Sequence, residues 1–339
     1  MLTADLDYAL PEALIAQHPL EPRDHARLMV VDRAAGTLTH SRFDAIGNWL
    51  RAGDMLVAND TRVLAARLRG RKPGGGKVEA LLLRRLDARH WLALIGGRNV
   101  RDVVFERGLL AVRAQVIEQR SSGEVVLAFA SAIDDVLGEL GETPLPPYIH
   151  APLADAERYQ TVFARMTGSA AAPTAGLHFT PGLLARLQGG GIGLRFVTLH
   201  VGIDTFRPIR ASEVEAHDIH SEWCSVSAET AAAINATRQA GGRVVAVGTT
   251  SVRALESAGA ALAPGAPLEP FEAMTRLFIT PGRPFQVVDA MITNFHLPRS
   301  SLLALVGAFM GMRQLREAYQ EAIQSQYRFF SFGDAMLIV

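Results

Sequence analysis

Three histidines, His178, His200 and His296, stand at or near the ends of segments with strand or loop character in this 339-residue chain. A neutral imidazole so placed can take a proton from a reacting group and return it. The bland alternative for each is a satisfied core or cap residue. Their repetition in like settings points to convergence on one cleft. A carboxylate adds to them: in His220-Ser221-Glu222-Trp223-Cys224, an extended backbone puts His220, Glu222 and Cys224 on one face. That trio has a metal-like look, and His-x-Glu occurs in zinc deaminases. A deaminase also needs a downstream Pro-Cys-x-x-Cys, and Cys224 is the single cysteine, so that reading falls. A three-residue zinc site is the weaker remainder, and no metal is expected.

Two polar turns could hold a ligand. Gly248-Thr249-Thr250-Ser251 offers hydroxyls and free amides at a helix start, an arrangement suited to a carboxylate or phosphate. It lacks the lysine and spacing of a P-loop and is not a Gly-x-Ser-x-Gly elbow; simple capping would also account for Ser251. Arg253 and Glu256, one turn further on, are close enough to join it. Asn59-Asp60-Thr61-Arg62 ends an apolar run, and in α/β folds ligands sit at that edge, although Asn59 and Asp60 could merely cap a turn. A third stretch, Gly168 to Thr180, is built of small residues around Pro173 and delivers His178 between Leu177 and Phe179. Little side-chain bulk there lets a ligand, or another segment, approach the backbone.

The elements that must position these residues follow from periodicity. Leu28-Met29-Val30-Val31, Met55-Leu56-Val57-Ala58 and Val244-Val245-Ala246-Val247 read as buried strands, as does the run 194–201. Helices are expected from Thr180-Pro181 to the glycines at 189–191, over 229–240 and over 252–262, with an apolar helix after Ser300 or Ser301. That rhythm predicts an α/β domain with a mainly parallel sheet, formed by both chain ends, residues 1–61 and 149–339. Between them, residues 62–148 hold short β-type segments separated by glycine- and charge-rich turns, which predicts an inserted small antiparallel β-barrel domain. Over residues 62–120, fourteen basic side chains face five acidic ones, a surplus of nine in a chain whose formal net charge is zero. Such a surface suits RNA, the alternative being simple solvation.

Composition excludes other classes. With 49% hydrophobic and 20% charged residues the chain is an ordinary globular one. The lone cysteine excludes an internal disulfide and suits a reducing cytoplasm. No export signal opens the chain, and the apolar run 302–312 is too short to span a bilayer. A cytoplasmic monomer without membrane contact is expected.

Longer runs carry a resemblance. They are Val57-Ala58-Asn59-Asp60-Thr61-Arg62, Leu145-Pro146-Pro147-Tyr148-Ile149, Tyr159-Gln160-Thr161-Val162-Phe163 and the small-residue loop through Phe179-Thr180-Pro181. They continue with Val197-Thr198-Leu199-His200-Val201-Gly202, His220-Ser221-Glu222-Trp223 and Ala246-Val247-Gly248-Thr249-Thr250-Ser251-Val252-Arg253. Thr293-Asn294-Phe295-His296-Leu297-Pro298 and Tyr327-Arg328-Phe329-Phe330-Ser331-Phe332-Gly333-Asp334 complete the series. In this order, over essentially the whole chain, they resemble the S-adenosylmethionine:tRNA ribosyltransferase-isomerases of queuosine biosynthesis. One departure is Asp204, where the family usually has glycine.

The resemblance implies an α/β domain interrupted by a β-barrel. It implies an enzyme that transfers and isomerises the ribosyl group of S-adenosylmethionine onto 7-aminomethyl-7-deazaguanine at the tRNA wobble position. Epoxyqueuosine-tRNA forms, and adenine and methionine leave. S-adenosylmethionine is then a co-substrate, and no cofactor is tightly bound. His178, His200 and His296 become candidates for the proton transfers, with Glu222 the carboxylate alternative. Thr249, Thr250, Ser251 and Arg253 would take the substrate's carboxylate. Ser169, Thr174 and Gly176 would lie against the adenosine or sulfonium, with Asn59 and Asn294 nearby. Arg62 and the basic module would hold the anticodon stem-loop, and Tyr148 and Phe179 would stack on the flipped base. Rival readings are a non-catalytic tRNA-binding protein and an S-adenosylmethionine-dependent tRNA methyltransferase; the latter lacks its expected Gly-x-Gly-x-Gly.

Overall fold

A computed structural model describes residues 1–120, 123–202, 208–260, 262–263 and 265–339. The chain divides into two compact units. One comprises Met1–Thr61, Pro146–Met166 and Pro173–Val339; the other comprises Arg62–Leu145 with Thr167–Ala172. Asp204 lies outside the described residues.

Short runs of valine, isoleucine, leucine and alanine build the first unit's nine-stranded sheet. Its order is Phe271–Thr275, Glu222–Val226, Gly193–Leu199, Met55–Asn59, Val244–Val247, Ala290–Asn294, Ala335–Ile338, Arg27–Asp32 and Thr37–Arg42. The sheet is mixed. Gly193–Leu199, Met55–Asn59, Val244–Val247 and Ala290–Asn294 are mutually parallel neighbours, and Ala335–Ile338 runs parallel to Arg27–Asp32. The remaining pairings, at both edges and between Ala290–Asn294 and Ala335–Ile338, are antiparallel. Val244 to Val247 are at most 1% exposed, as a strand covered on both faces must be. Each of the three valines contributes roughly 1.5–3 kcal/mol by leaving water.

Helices cover the sheet and are capped where the sequence places hydroxyls. Thr180 Oγ1 accepts from the Leu183 amide at 3.1 Å with Pro181 in the first turn, and Ser300 Oγ accepts from Leu303 at 3.1 Å. Thr249–Gly259 starts earlier than its apolar pattern suggests because Gly248, at φ 89°, turns the chain directly from strand into helix. Every residue of that helix is buried. No helix among the described residues is long and apolar enough to cross a membrane.

The second unit is a closed six-stranded antiparallel barrel. Around it run Glu124–Phe129, His90–Gly96, Lys77–Arg85, Arg67–Arg71, Asp102–Arg107 and Leu110–Gln119. Alternation decides its faces: Val78, Ala80 and Leu82 point into a core with Leu68, Trp91, Phe105 and Leu127, while Lys77 and Glu79 point out. Closure depends on Gly70, where an added Cβ would stand 2.3 Å from the Val104 carbonyl oxygen. The outward arginines are partly compensated, with Arg69–Glu142 and Arg71–Glu106 pairs at 3.1 Å.

Candidate active site at the carboxyl ends of four parallel strands

Because the four central strands are parallel neighbours, their carboxyl ends share one edge. Asn59, His200, Gly248 and Asn294 stand at or just beyond those ends. The sheet thus brings together four of the segments that sequence singled out, and that edge is where α/β sheets bind ligands.

Asn59, 1% exposed, is the knot of this edge. Its Nδ2 donates to the Leu199 carbonyl at 2.9 Å and to Thr250 Oγ1 at 3.2 Å, and its Oδ1 accepts from the Thr61 and Leu199 amides at 3.1 Å. Its polar atoms are therefore committed to joining three segments. Asp60, equally buried, accepts from Thr198 Oγ1 at 2.7 Å and Arg165 Nε at 2.6 Å.

His200 is the one of the three histidines that is not fully buried. Its ring stacks on Trp223, 5.1 Å between centroids and 23° between planes, and its Nδ1 lies 2.8 Å from Thr61 Oγ1. Thr61 Oγ1 donates its only proton to the Met166 carbonyl at 3.3 Å, so it accepts from His200 Nδ1–H. In that tautomer Nε2 is the basic nitrogen, and it has no hydrogen-bond partner among the described residues. Burial lowers the pKa of His200, and the Asp60 carboxylate opposes that fall.

His178 and His296 are neutral for a stronger reason. Burial pushes His178 down to about 3, with the Arg328 and Arg23 cations acting in the same direction, and burial pushes His296 to about 3. His178 is anchored at both ends. The Arg23 main chain bonds it, and Asn294 Nδ2 donates to its Nε2 at 3.3 Å while Asn294 Oδ1 accepts from Thr174 Oγ1 at 2.9 Å. Phe43 lies 4.9 Å from its ring. His296 Nε2 lies 2.6 Å from Thr293 Oγ1, its amide donates to Tyr319 Oη at 2.8 Å, and its carbonyl accepts from Tyr8 Oη. That setting is an aromatic core with Phe295 and Phe329.

Glu222 differs from a proton acceptor. Its Oε1 accepts from the Gly202 amide at 2.7 Å and His220 Nε2 at 2.9 Å, and its Oε2 pairs with Arg253 Nη1. Burial raises its pKa, but Arg253, His220 and the Gly202 amide outweigh this and hold it at about 2. A carboxylate so stabilised orients its partners and is a poor base. Arg253 Nη2 is buried and has no hydrogen-bond partner among the described residues. Ser251 Oγ donates back to the Val247 carbonyl at 2.7 Å, and Thr249 is 5% exposed. Glu256 does not join this turn: its carboxylate accepts from the amides of Gln286, Val287 and Val288. Cys224 is buried, its thiol pushed up to about 11 by burial, and no group of three or more metal ligands occurs among the described residues.

Two ligand-contact expectations, Phe179 and Gly176, meet the core instead, while Tyr148 is half-buried. Phe179 is 1% exposed, edge-on to Phe43 at 5.0 Å, and has no face for a base. Gly176 is approached by protein, not open space: an added Cβ would meet Phe163 Cζ at 2.8 Å and Thr161 Cγ2 at 2.9 Å. Tyr148 lies 4.8 Å from Phe330 and bonds Ser331 Oγ through its hydroxyl at 2.8 Å. Arg62 and Ser169 belong to the barrel unit, where Ser169 is buried and donates to the Ala171 carbonyl at 2.7 Å. Sequence reading undervalued Thr61 and Trp223. Trp223 reaches His200 only through the antiparallel register that sets Leu199 opposite Cys224, a long-range pairing with no local signal.

A mixed α/β sheet with polar residues gathered at the carboxyl ends of its parallel strands, in a chain that also carries a closed six-stranded barrel, is the architecture of an α/β enzyme with an inserted β domain. The comparisons specify which. The family model for the queuosine biosynthesis protein matches residues 3–338, so the chain belongs to that family. It is 51% identical, over all of both chains, to the S-adenosylmethionine:tRNA ribosyltransferase-isomerase of Symbiobacterium thermophilum. It is 51% identical to that of Thermosynechococcus vestitus over 98% of this chain and 94% of the relative. The crystal structure of S-adenosylmethionine tRNA ribosyltransferase from Thermotoga maritima matches with a TM-score of 0.58 and 37% identity, covering 99% of this chain and 100% of that one.

Proposed function

We propose that this chain transfers and isomerises the ribosyl moiety of S-adenosylmethionine onto 7-aminomethyl-7-deazaguanine in tRNA, releasing adenine and methionine. The observation that carries this reading is the gathering of Asn59, His200, Gly248 and Asn294 at one strand edge in a chain half identical to the named enzymes. The reaction needs the aminomethyl nitrogen to lose a proton, C5′ beside the sulfonium to lose another, and departing adenine to gain one. His200 suits the base role, with Nδ1 committed to Thr61 and Nε2 without a partner among the described residues. His178 and His296 are held neutral with ring nitrogens engaged, and serve better to shape and orient the site. Glu222 acts through Arg253 and His220 as a positioning residue.

The substrate's carboxylate sits on the Thr249–Ser251 amides, and the unpartnered Nη2 of Arg253 supports this assignment. The outward arginines of the barrel and Arg62 hold phosphates of the anticodon stem-loop. Cytoplasmic location and a monomeric state complete the proposal.

The test is incubation of the protein with labelled S-adenosylmethionine and tRNA bearing the aminomethyl base. Free adenine and methionine are expected. S-adenosylhomocysteine would mean methylation instead, and absence of turnover would leave only binding.

A further inference from the structure

Beside His178, at the margin of the sheet edge, a narrow cavity is lined by Arg23, Arg158 and Arg328, with Leu20 and Phe332 as apolar walls. No carboxylate lines it. The three guanidinium groups come from separate stretches, and main-chain carbonyls fix them in place. Arg23 donates to the carbonyls of Gln160 at 2.6 Å and Glu157 at 2.8 Å. Arg158 donates to Leu20 at 2.8 Å, and Arg328 to His18 at 3.3 Å. A carbonyl immobilises a guanidinium without cancelling its charge. The acids that do pair with these residues stand outside the cavity. Glu21, 2.5 Å from Arg158, is 75% exposed, and Asp334, 3.6 Å from Arg328, is also engaged by the Arg27 and Arg328 amides.

The cavity itself, about 20 Å³, takes no more than one water, so an anion would sit across its opening. There the three guanidinium groups stand together, and among the described residues only Arg158 and Arg328 have an acidic partner, each outside the cavity. We propose that Arg23, Arg158 and Arg328 form a preorganised subsite for a phosphodiester of the RNA substrate, next to the nucleotide presented to the His178 end of the site. This rests on the tRNA reading above. The carboxylate of the sulfonium substrate already has the Thr249–Ser251 turn, so the polynucleotide is the remaining polyanion. Side chains already held by carbonyls lose little further freedom on binding, which favours a register-setting contact over a loose electrostatic one.

The test is binding of an anticodon stem-loop RNA to the full chain over a salt series. Wild type is compared with Arg158→Gln, Arg328→Gln and Arg328→Lys, and each variant's thermal midpoint is recorded. Loss of one phosphate contact should lower the slope of log K against log salt by about 0.7–0.9. Each glutamine variant is expected to show that loss, while Arg328→Lys, which keeps the charge, retains the wild-type slope. An unchanged slope in both glutamine variants would overturn the subsite and leave the arginines as loop staples. So would an unchanged slope with a raised KM for S-adenosylmethionine, which would make the anion its carboxylate. If Arg328→Gln does not fold, Arg158→Gln, on the more exposed ion pair, decides alone. Failure of wild type to bind the RNA would strike the tRNA reading itself, a result distinct from unchanged slopes in the variants.

Discussion

Thr61 Oγ1 stands 2.8 Å from His200 Nδ1, and this bond decides which imidazole nitrogen is free. The hydroxyl has one proton and gives it to the Met166 carbonyl, so it can only accept from the ring. Trp223 fixes the ring plane from one face. Thr61 is thereby a positioning residue for His200, two residues beyond the Asn59 knot that holds the strand end.

Replacing Thr61 with valine keeps the shape and removes the acceptor. Turnover should fall about 10- to 100-fold, a fraction of what a general base contributes, with KM for S-adenosylmethionine within about twofold. Thr61→Ser should recover most of the loss. Steady-state kinetics on the three proteins checks this, and equal activity in Thr61→Val would separate His200 from the chemistry.

A base must be neutral to accept a proton. Burial moves the His200 pKa below its ordinary 6.5, so the neutral form is already dominant at pH 7. The acid limb of kcat/KM should lie below pH 6.5, with no gain on raising pH from 7 to 8 through this group. A limb centred above pH 7 would point to another residue.

Glu222 and Arg253 form a buried pair, their side chains 1% and 6% exposed. Glu222→Gln leaves a guanidinium in the core without its counter-charge, which typically costs about 3–5 kcal/mol. Urea denaturation should show an unfolding free energy lower by that amount. A change under about 1 kcal/mol would mean the cation is neutralised elsewhere.

Much of this arrangement is legible in the sequence. Apolar runs ending in Asn59, Gly248 and Asn294 marked strand ends, because buried strands and polar termini differ locally in composition. The barrel showed itself through period-two alternation in Lys77–Arg85 and its neighbours. What local pattern could not reveal was partner choice. Glu222 looked like a candidate base because its pairing with Arg253, 31 residues away, is tertiary. Phe179 looked like a stacking platform because nothing nearby in sequence announces that Phe43 covers it. The antiparallel members of the sheet likewise depend on how distant segments approach, which helix–strand rhythm does not encode.

His178 and His296 link stability to acid. Each is held at about 3 in the fold, against an ordinary 6.5 when unfolded. Below pH 6.5 the unfolded chain therefore binds protons that the fold refuses, so stability is full above 6.5 and declines as pH falls toward 3. Each histidine contributes about 1 kcal/mol per pH unit in that window. Denaturant midpoints at pH 7, 6 and 5 should fall progressively, and His296→Asn should flatten the decline. An unchanged slope in that variant would contradict the buried neutral state.

Gly176 separates packing from ligand binding in the small-residue loop. If the loop is bare so that a ligand can approach, Gly176→Ala should spare stability and raise KM for S-adenosylmethionine. The coordinates favour the opposite result, because the new Cβ would meet Phe163 Cζ at 2.8 Å and Thr161 Cγ2 at 2.9 Å. Thr161 is buried, and the partly buried Phe163 ring packs 6.3 Å from Phe179 and 5.6 Å from Phe196, so making room disturbs that packing. Overpacking of this kind costs about 1–3 kcal/mol. A lowered thermal midpoint with KM nearly unchanged is the expected pair of measurements. The reverse pair would restore Gly176 to the substrate's wall.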